Sequence, residues 1–249
     1  MIMTTMTIRG IIIPMTDAQH PVQEIAGRQN GATQALLRLI SWLSPAFPIG
    51  AFSYSSGLEQ AVADGAVCDA PSLGDWLSGS LMQGSQWNDA VLLAESYHAQ
   101  DDAVRLREVA ALAEAMAGSR ERQMETMLQG EAFLTAAAAW PSGPVACLGG
   151  RAAYSVAVGA LAGAHATGLE AALAAYLHAG VSNQISVAIR CSVLGQHSGV
   201  ALLARLESEI AETAARAADS TLDDLGSAGV LADIASLRHE TLTSRLFRS

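Results

Sequence analysis

Apolar residues recur at helical spacing along most of this chain of 249 residues. Leu36, Leu37, Ile40 and Leu43 share one face of the segment 33–43, as in an amphipathic helix. No apolar–polar alternation is long enough for a strand, and no period of about 20 to 50 residues repeats. The pattern therefore predicts an all-α protein, a single compact multi-helix bundle with short interhelical loops. Further helices are predicted over residues 90–98, 104–116, 119–140, 150–167, 170–194 and 200–218.

Two short motifs predict where helices begin near the start of this pattern. Ser56 is followed three positions later by Glu59, which is the spacing of a capping box. Ser72 and Asp75 offer a similar start after Pro71. We therefore expect helices to begin near residues 55–56 and near residue 72.

The ends of the chain differ from its middle. The apolar run 11–13 is interrupted at once by Pro14 and is too short for a signal-peptide core. The least polar stretch, residues 152–167, is too short and too interrupted to span a membrane. We expect a soluble cytoplasmic protein with a disordered extension (1–32), a helical domain (33–236) and a partner-binding tail (237–249).

Composition excludes several classes of function. The formal net charge is −10, which argues against a nucleic-acid partner. All 14 basic residues are arginine, and the chain contains no lysine. A Walker-type phosphate loop, a Schiff-base enzyme and a Ser-x-x-Lys nucleophile each require a lysine and are therefore excluded.

Candidate chemistry is sparse. No two histidines fall within four residues, and no Cys-x-x-Cys pair occurs, so the spacing predicts no resident metal site. The serine-rich segment 50–57 does not fit the Gly-x-Ser-x-Gly elbow. We predict no catalytic residue and no cofactor, while a transient nickel contact or a Ser/His pair formed in space stays open. The residues concerned are His20, His98, His165, His178, His197, His239, Cys68, Cys147 and Cys191.

The first unusual segment covers residues 44–59. Two prolines and a glycine restrict its backbone, while Phe47, Ile49, Phe52 and Tyr54 supply apolar area. It is interpreted either as a tight turn whose aromatics close the core or as a preformed contact surface.

The second unusual segment covers residues 231–249. Arg238, Arg245 and Arg248 outnumber Glu240 here, in an otherwise acidic chain, and leucine and phenylalanine accompany them. It is interpreted either as a frayed last helix or as a tail that orders on meeting a partner. Arginine interleaved with large apolar residues is typical of interface hot spots.

Both segments resemble the most characteristic stretches of the UreF family of urease accessory proteins. Residues 44–59 resemble its Ser-Pro-x-x-Pro-x-Gly-x-Phe-Ser-Tyr-Ser-x-Gly-Leu-Glu motif, and residues 234–249 resemble its terminal signature. Shorter matches at 119–121, 129–130, 183–184 and 194–196 follow in the expected order. The resemblance covers about residues 36–249.

The resemblance implies a helical, usually dimeric chaperone without an active site of its own, which serves urease maturation. It implies that UreD (also called UreH) on apo-urease and the GTPase UreG are partners, and that their complex handles nickel only transiently. Transferred to the matching positions of this chain, the UreD-binding residues that the resemblance implies are Arg238, His239, Glu240, Leu242, Arg245, Leu246, Phe247 and Arg248. The dimer or UreG-facing surface is assigned to Phe47, Phe52, Ser53, Tyr54, Gly57, Glu59, Arg120 and Arg122.

Two functions of other classes stay open. One is a GTPase-activating protein that supplies a catalytic arginine to UreG, for which Arg120 or Arg122 is the candidate. Such an arginine must be exposed and well held. The other is a helical hydrolase, which requires a Ser/His/Asp convergence in space.

Overall fold

The computed structural model describes the backbone of residues 20–249 and the side chains of residues 31–249 except that of Pro144. The described residues are helical and contain no strand, which confirms the all-α prediction. The α-helices are α1 (His20–Trp42), α2 (Leu58–Ala63), α3 (Ala70–Gln83), α4 (Ser85–His98), α5 (Ala103–Ala115), α6 (Arg120–Ala137), α7 (Tyr154–Ala164), α8 (Leu169–Arg190), α9 (Gln196–Ala218) and α10 (Val230–His239). Short 3₁₀ helices cover Ala51–Ser53, Pro144–Leu148 and Leu222–Asp224.

The chain divides into two compact units, residues 1–34 and residues 35–249. Residues 1–19 of the expected disordered extension lie outside the described residues. Residues 20–32, which belong to the same expectation, are helical and form the beginning of α1. The account below concerns the second unit.

Helix α7 lies at the centre of the bundle. It packs mainly against α4 and α6, while α8 and α9 pair with each other and α3 contacts both α4 and α9. Val156, Val158 and Leu161 are buried on its different faces. A helix that is apolar all round is stable in water only as a core element. Burying each of these side chains contributes roughly 1.5–3 kcal/mol.

Glycines allow α7 to approach its neighbours closely. A Cβ added at Gly159 would overlap the carbonyl oxygen of Leu93, and one at Gly163 would lie 2.5 Å from that of Tyr97. The two glycines are four positions apart and therefore lie on one face, against α4. A Cβ at Gly130 of α6 would likewise overlap a backbone carbonyl of the segment before α7. Backbone contact sets the spacing of these helices.

The exposed face of α1 differs from the prediction. Leu36, Leu37 and Ile40 share one face as expected, but that face is exposed. Leu39 and Trp42 are buried instead. Helical spacing identifies a face correctly but does not say which of two apolar faces meets the core.

The predicted helix starts are also wrong in detail. Helix α3 begins at Ala70, because Asp69 forms the capping box with the backbone and side chain of Ser72. Helix α2 begins at Leu58, and its N-cap is Gly57, which offers no side-chain cap. Glu59 does not close a capping box, because its carboxylate bonds to the end of the chain instead.

Candidate functional site

The two unusual segments contact each other. The backbone N–H of Arg248 donates to the carbonyl of Ser53 at 2.8 Å, and that of Ser55 donates to the carbonyl of Ser249 at 2.9 Å. The Ser55 hydroxyl donates to the same Ser249 oxygen. We call the site formed by residues 52–59, 119–125 and 237–249 the tail junction. The two unusual segments are identified separately in the sequence, whereas in the structure they form one site.

Three buried carboxylates form the interior of the tail junction. Glu59 accepts backbone hydrogen bonds from Leu246 at 2.6 Å and from Phe247 at 3.1 Å. Glu125 accepts from the hydroxyls of Ser56 and Ser249, both at 2.8 Å. The third carboxylate is that of Glu121. A buried carboxylate is costly unless such donors satisfy it, so these residues hold the tail in place.

His239 joins two of these carboxylates. Its side chain is 0% exposed, its Nδ1 lies 2.7 Å from Oε2 of Glu121, and its Nε2 lies 3.0 Å from Oε2 of Glu59. Arg245 donates from Nη1 to the other oxygen of Glu121 at 2.6 Å. Each ring nitrogen of His239 therefore lies within hydrogen-bond distance of a buried carboxylate.

A second ion-pair network continues from Glu125 into the bundle. Arg122 lies 3.2 Å from Glu125 and 2.5 Å from Asp89, and the Tyr176 hydroxyl donates to Asp89 at 3.2 Å. Burial alone would lower the pKa of Arg122, but the charges of Asp89 and Glu125 raise it above its usual value. Burial, and secondarily Asp89, raise the pKa of Tyr176. With its side chain 20% exposed and doubly paired, Arg122 is not the exposed arginine that a GTPase-activating role requires.

Helix α8 contacts both the loop and the tail of the tail junction. The Arg190 guanidinium lies 4.1 Å from the ring centroid of Phe247 and donates to the carbonyl of Phe52 at 2.5 Å. Gln184 donates to the carbonyl of Ser55 at 2.9 Å. The loop and the tail are therefore held by the same helix.

Gly57 allows α10 to lie on the loop. Its φ is +82°, and an added Cβ would lie 2.9 Å from the backbone nitrogen of Ser236. Ser236 shares a 2.6 Å hydrogen bond with the hydroxyl of Ser119, which is the N-cap of α6. Glu240 accepts from the backbone N–H of Arg120 at 3.0 Å. Helix α10 is thus fixed between α2 and the start of α6.

Most of the predicted UreD-binding residues have partners within the chain. His239 and Phe247 are buried, and Leu242 is half-buried. Arg238 pairs with Asp64 at 2.8 Å. In the structure the tail bonds to buried carboxylates of the same chain, and the expectation that it orders on meeting a partner stays a prediction. The exposed residues of this set are Arg238, Arg245, Leu246 (62%) and Arg248.

The predicted dimer or UreG-facing residues also divide between core and surface. Phe47 contacts Phe133 and Trp140, with ring centroids 5.5 and 6.3 Å apart, so part of the loop closes the core. Tyr54 is buried and Ser53 half-buried, whereas Phe52 is 68% exposed. Gly57 and Glu59 are buried, while Arg120 is exposed.

The sequence did not identify one exposed apolar surface. Leu231, Ile234 and Leu237 are exposed on α10 at intervals of three residues, Val230 is exposed four positions before Ile234, and Leu231 is 76% exposed. A contiguous apolar stripe of this kind typically marks an interface. The sequence does contain a signal for this surface, because apolar residues recur at helical spacing within residues 230–237. Glu121 and Glu125, which the sequence also did not single out, lie four positions apart on α6.

The site shows little that resembles a metal centre. Across the described residues, no group of three or more His, Cys, Asp or Glu side chains is arranged to hold a metal ion. Both nitrogens of His239 are occupied by hydrogen bonds. Among the described helices, none is both long and apolar enough to cross a membrane.

Comparison with known proteins identifies the family. The UreF family model matches residues 67–207. The urease accessory protein UreF of Rhizobium meliloti (strain 1021) is 61% identical over 221 residues, which are 89% of this chain and 99% of the relative. That of Rhizobium etli is 64% identical over 216 residues, 87% and 97% of the two chains. That of Agrobacterium fabrum is 57% identical over 215 residues, 86% and 96%. This chain therefore belongs to the UreF family of urease accessory proteins.

Proposed function

We propose that this chain is a non-catalytic scaffold that bridges UreD (UreH) on apo-urease and the GTPase UreG during urease maturation. Nickel is then cargo of the complex, which handles it only transiently. The observation that carries this proposal is the tail junction, where buried carboxylates hold α10 and the tail in a fixed position. A rigid, exposed apolar stripe is what a docking scaffold requires, because little ordering entropy is lost on binding.

The α10 stripe is the proposed UreD-binding surface, together with Leu246 and Arg248 of the tail. The internally bonded tail residues, such as His239 and Arg245, position this surface. A truncation before residue 237 is a poor test, because it would remove the donors that satisfy Glu59, Glu121 and Glu125. Substitutions of exposed residues can change binding to UreD without changing the stability of the fold.

The test is co-purification of the full chain with UreD. Replacing both Leu231 and Ile234 by Asp is expected to abolish binding and to leave the thermal unfolding midpoint unchanged, since both side chains are exposed. Val104→Asp is the matched control, because Val104 is a helical residue on α5 whose exposure (59%) lies between those of Leu231 (76%) and Ile234 (44%). Retention of UreD by the double variant would show that the contact lies elsewhere.

A GTPase-activating role is the second candidate function. It is favoured only by Arg120, which is exposed and whose side chain has no carboxylate partner among the described residues. UreG GTP turnover would be measured with Arg120→Ala and Arg120→Lys, because lysine does not replace a catalytic arginine. Unchanged turnover with both variants would remove this candidate.

We further propose that the chain is a cytoplasmic homodimer. The exposed Phe52, next to the buried Tyr54, is the candidate contact because isolated large aromatic residues often anchor interfaces. Sedimentation equilibrium of the wild type and of Phe52→Ser is expected to give a dimer and a monomer. A monomeric wild type at micromolar concentration would contradict this.

A further inference from the structure

A cavity of about 600 Å³ opens beside the tail junction, between the start of α6 and the tail. Its lining residues are Arg120, Glu121, Met124, Glu240, Arg245, Phe247 and Arg248. The contacts described so far leave this cavity open.

The charges around the cavity do not cancel. Both carboxylates are already engaged: Glu121 by His239 and Arg245, and Glu240 by the backbone N–H of Arg120. Within the described residues, the guanidinium groups of Arg120 and Arg248 have no carboxylate partner. The cavity therefore carries a surplus of positive charge in a chain of net charge −10.

The walls of the cavity are held in place. Phe247 is buried under the Arg190 guanidinium and forms an apolar wall with Met124. Arg248 is anchored by its backbone bond to Ser53, and its guanidinium lies 5.6 Å from the ring centroid of Tyr54. Preorganised donors lose less entropy on binding than free side chains do.

We propose that this cavity binds a carboxylate side chain, flanked by an apolar residue, on the protein that docks beside α10. Arg120 and Arg248 would bind the carboxylate, and Met124 and Phe247 would contact the apolar neighbour. Planar guanidinium groups match carboxylates in bidentate geometry, and a partly enclosed site strengthens such pairs. This inference rests on the proposed scaffold function and specifies the chemistry of the partner's contact.

Charge reversal tests the inference on the full chain. Binding to UreD would be measured by biolayer interferometry for Arg120→Glu, Arg248→Glu and the double variant. Each single change is expected to weaken binding about tenfold and the double change about a hundredfold, as for paired interface charges. The salt dependence of binding should fall in parallel. The lysine variants Arg120→Lys and Arg248→Lys should lose less affinity than the glutamate variants but more than none, because lysine keeps the charge without the bidentate geometry.

The matched control is Arg107→Glu, because Arg107 is an exposed arginine of α5 that does not line this cavity. Thermal unfolding of all variants checks that folding is intact. A double variant that binds like the wild type overturns the cavity assignment and leaves the scaffold function standing. A wild type that does not bind UreD removes the proposed function itself. Equal losses for Arg107→Glu would show a general charge effect and also overturn the assignment.

Discussion

Glu59 and His239 are hydrogen-bonded at 3.0 Å although 180 positions separate them in the chain. The carboxylate belongs to the loop motif and the imidazole to the end of α10, so this contact joins the two segments that resemble the UreF family. Glu121 completes the arrangement from the opposite side of the ring. The carboxylates and the ring are buried, and each depends on the others for its hydrogen bonds.

Replacing His239 by Leu should destabilise the protein strongly. Glu59 and Glu121 would each lose a hydrogen-bond partner while remaining buried, and removing one partner from a buried carboxylate costs about 3–5 kcal/mol. Urea denaturation followed by circular dichroism measures the change. His178→Leu is the control because His178 is exposed. Equal midpoints for the two variants would contradict the role assigned to His239.

Replacing Gly159 by Ala should force α4 and α7 apart. The new methyl group would overlap the Leu93 carbonyl, and overpacking of a buried contact costs about 1–3 kcal/mol. Gly79→Ala is the matched control: Gly79 also lies within a helix, but nothing is within 4 Å of an added Cβ. That change is expected to stabilise the helix by about 0.5–1 kcal/mol. Denaturation should therefore show a loss of stability for Gly159→Ala and a gain for Gly79→Ala. Equal losses for the two variants would refute the argument that α4 and α7 approach each other closely at Gly159.

Replacing Gly57 by Ala should detach α10 from α2. The substitution strains a backbone with φ of +82° and also places a Cβ 2.9 Å from the nitrogen of Ser236. Gly65→Ala isolates the strain, because Gly65 has φ of +75° with open space around it. Hydrogen exchange of residues 230–239 should accelerate only in the Gly57 variant. Acceleration in both variants would mean that strain alone loosens α10.

Thiol labelling should report on the tail junction. Burial, and secondarily the charge of Glu59, raise the pKa of the Cys191 thiol, so less thiolate is present at neutral pH. Cys191 should therefore react with a disulfide reagent more slowly than the exposed Cys68. The reaction should show a fast and a slow phase, and the variants Cys68→Ser and Cys191→Ser would show which cysteine gives each phase. In the His239→Leu background the slow phase should accelerate, and an unchanged rate would show that the tail stays closed.

The sequence predicts the helical fold and draws attention to both halves of the tail junction, but it cannot show that they meet. Helical periodicity is local, whereas the hydrogen bonds of Glu121 with His239 and Arg245 connect residues more than a hundred positions apart. The same limit explains the wrong capping box, since Ser56 and Glu59 have suitable spacing but both side chains bond to distant partners. Exposure of one α1 face is likewise decided by tertiary packing.

The order in which the chain is synthesised gives the tail junction a further consequence. Glu59, Glu121 and Glu125 leave the ribosome long before residues 239–249, which supply most of their donors. Until then the nascent protein must keep these carboxylates in water, with α2 and the start of α6 incompletely packed. The junction can therefore close only after residues 239–249 have been synthesised. A chain that stops before these residues would leave the loop at residues 52–59 open to proteolysis.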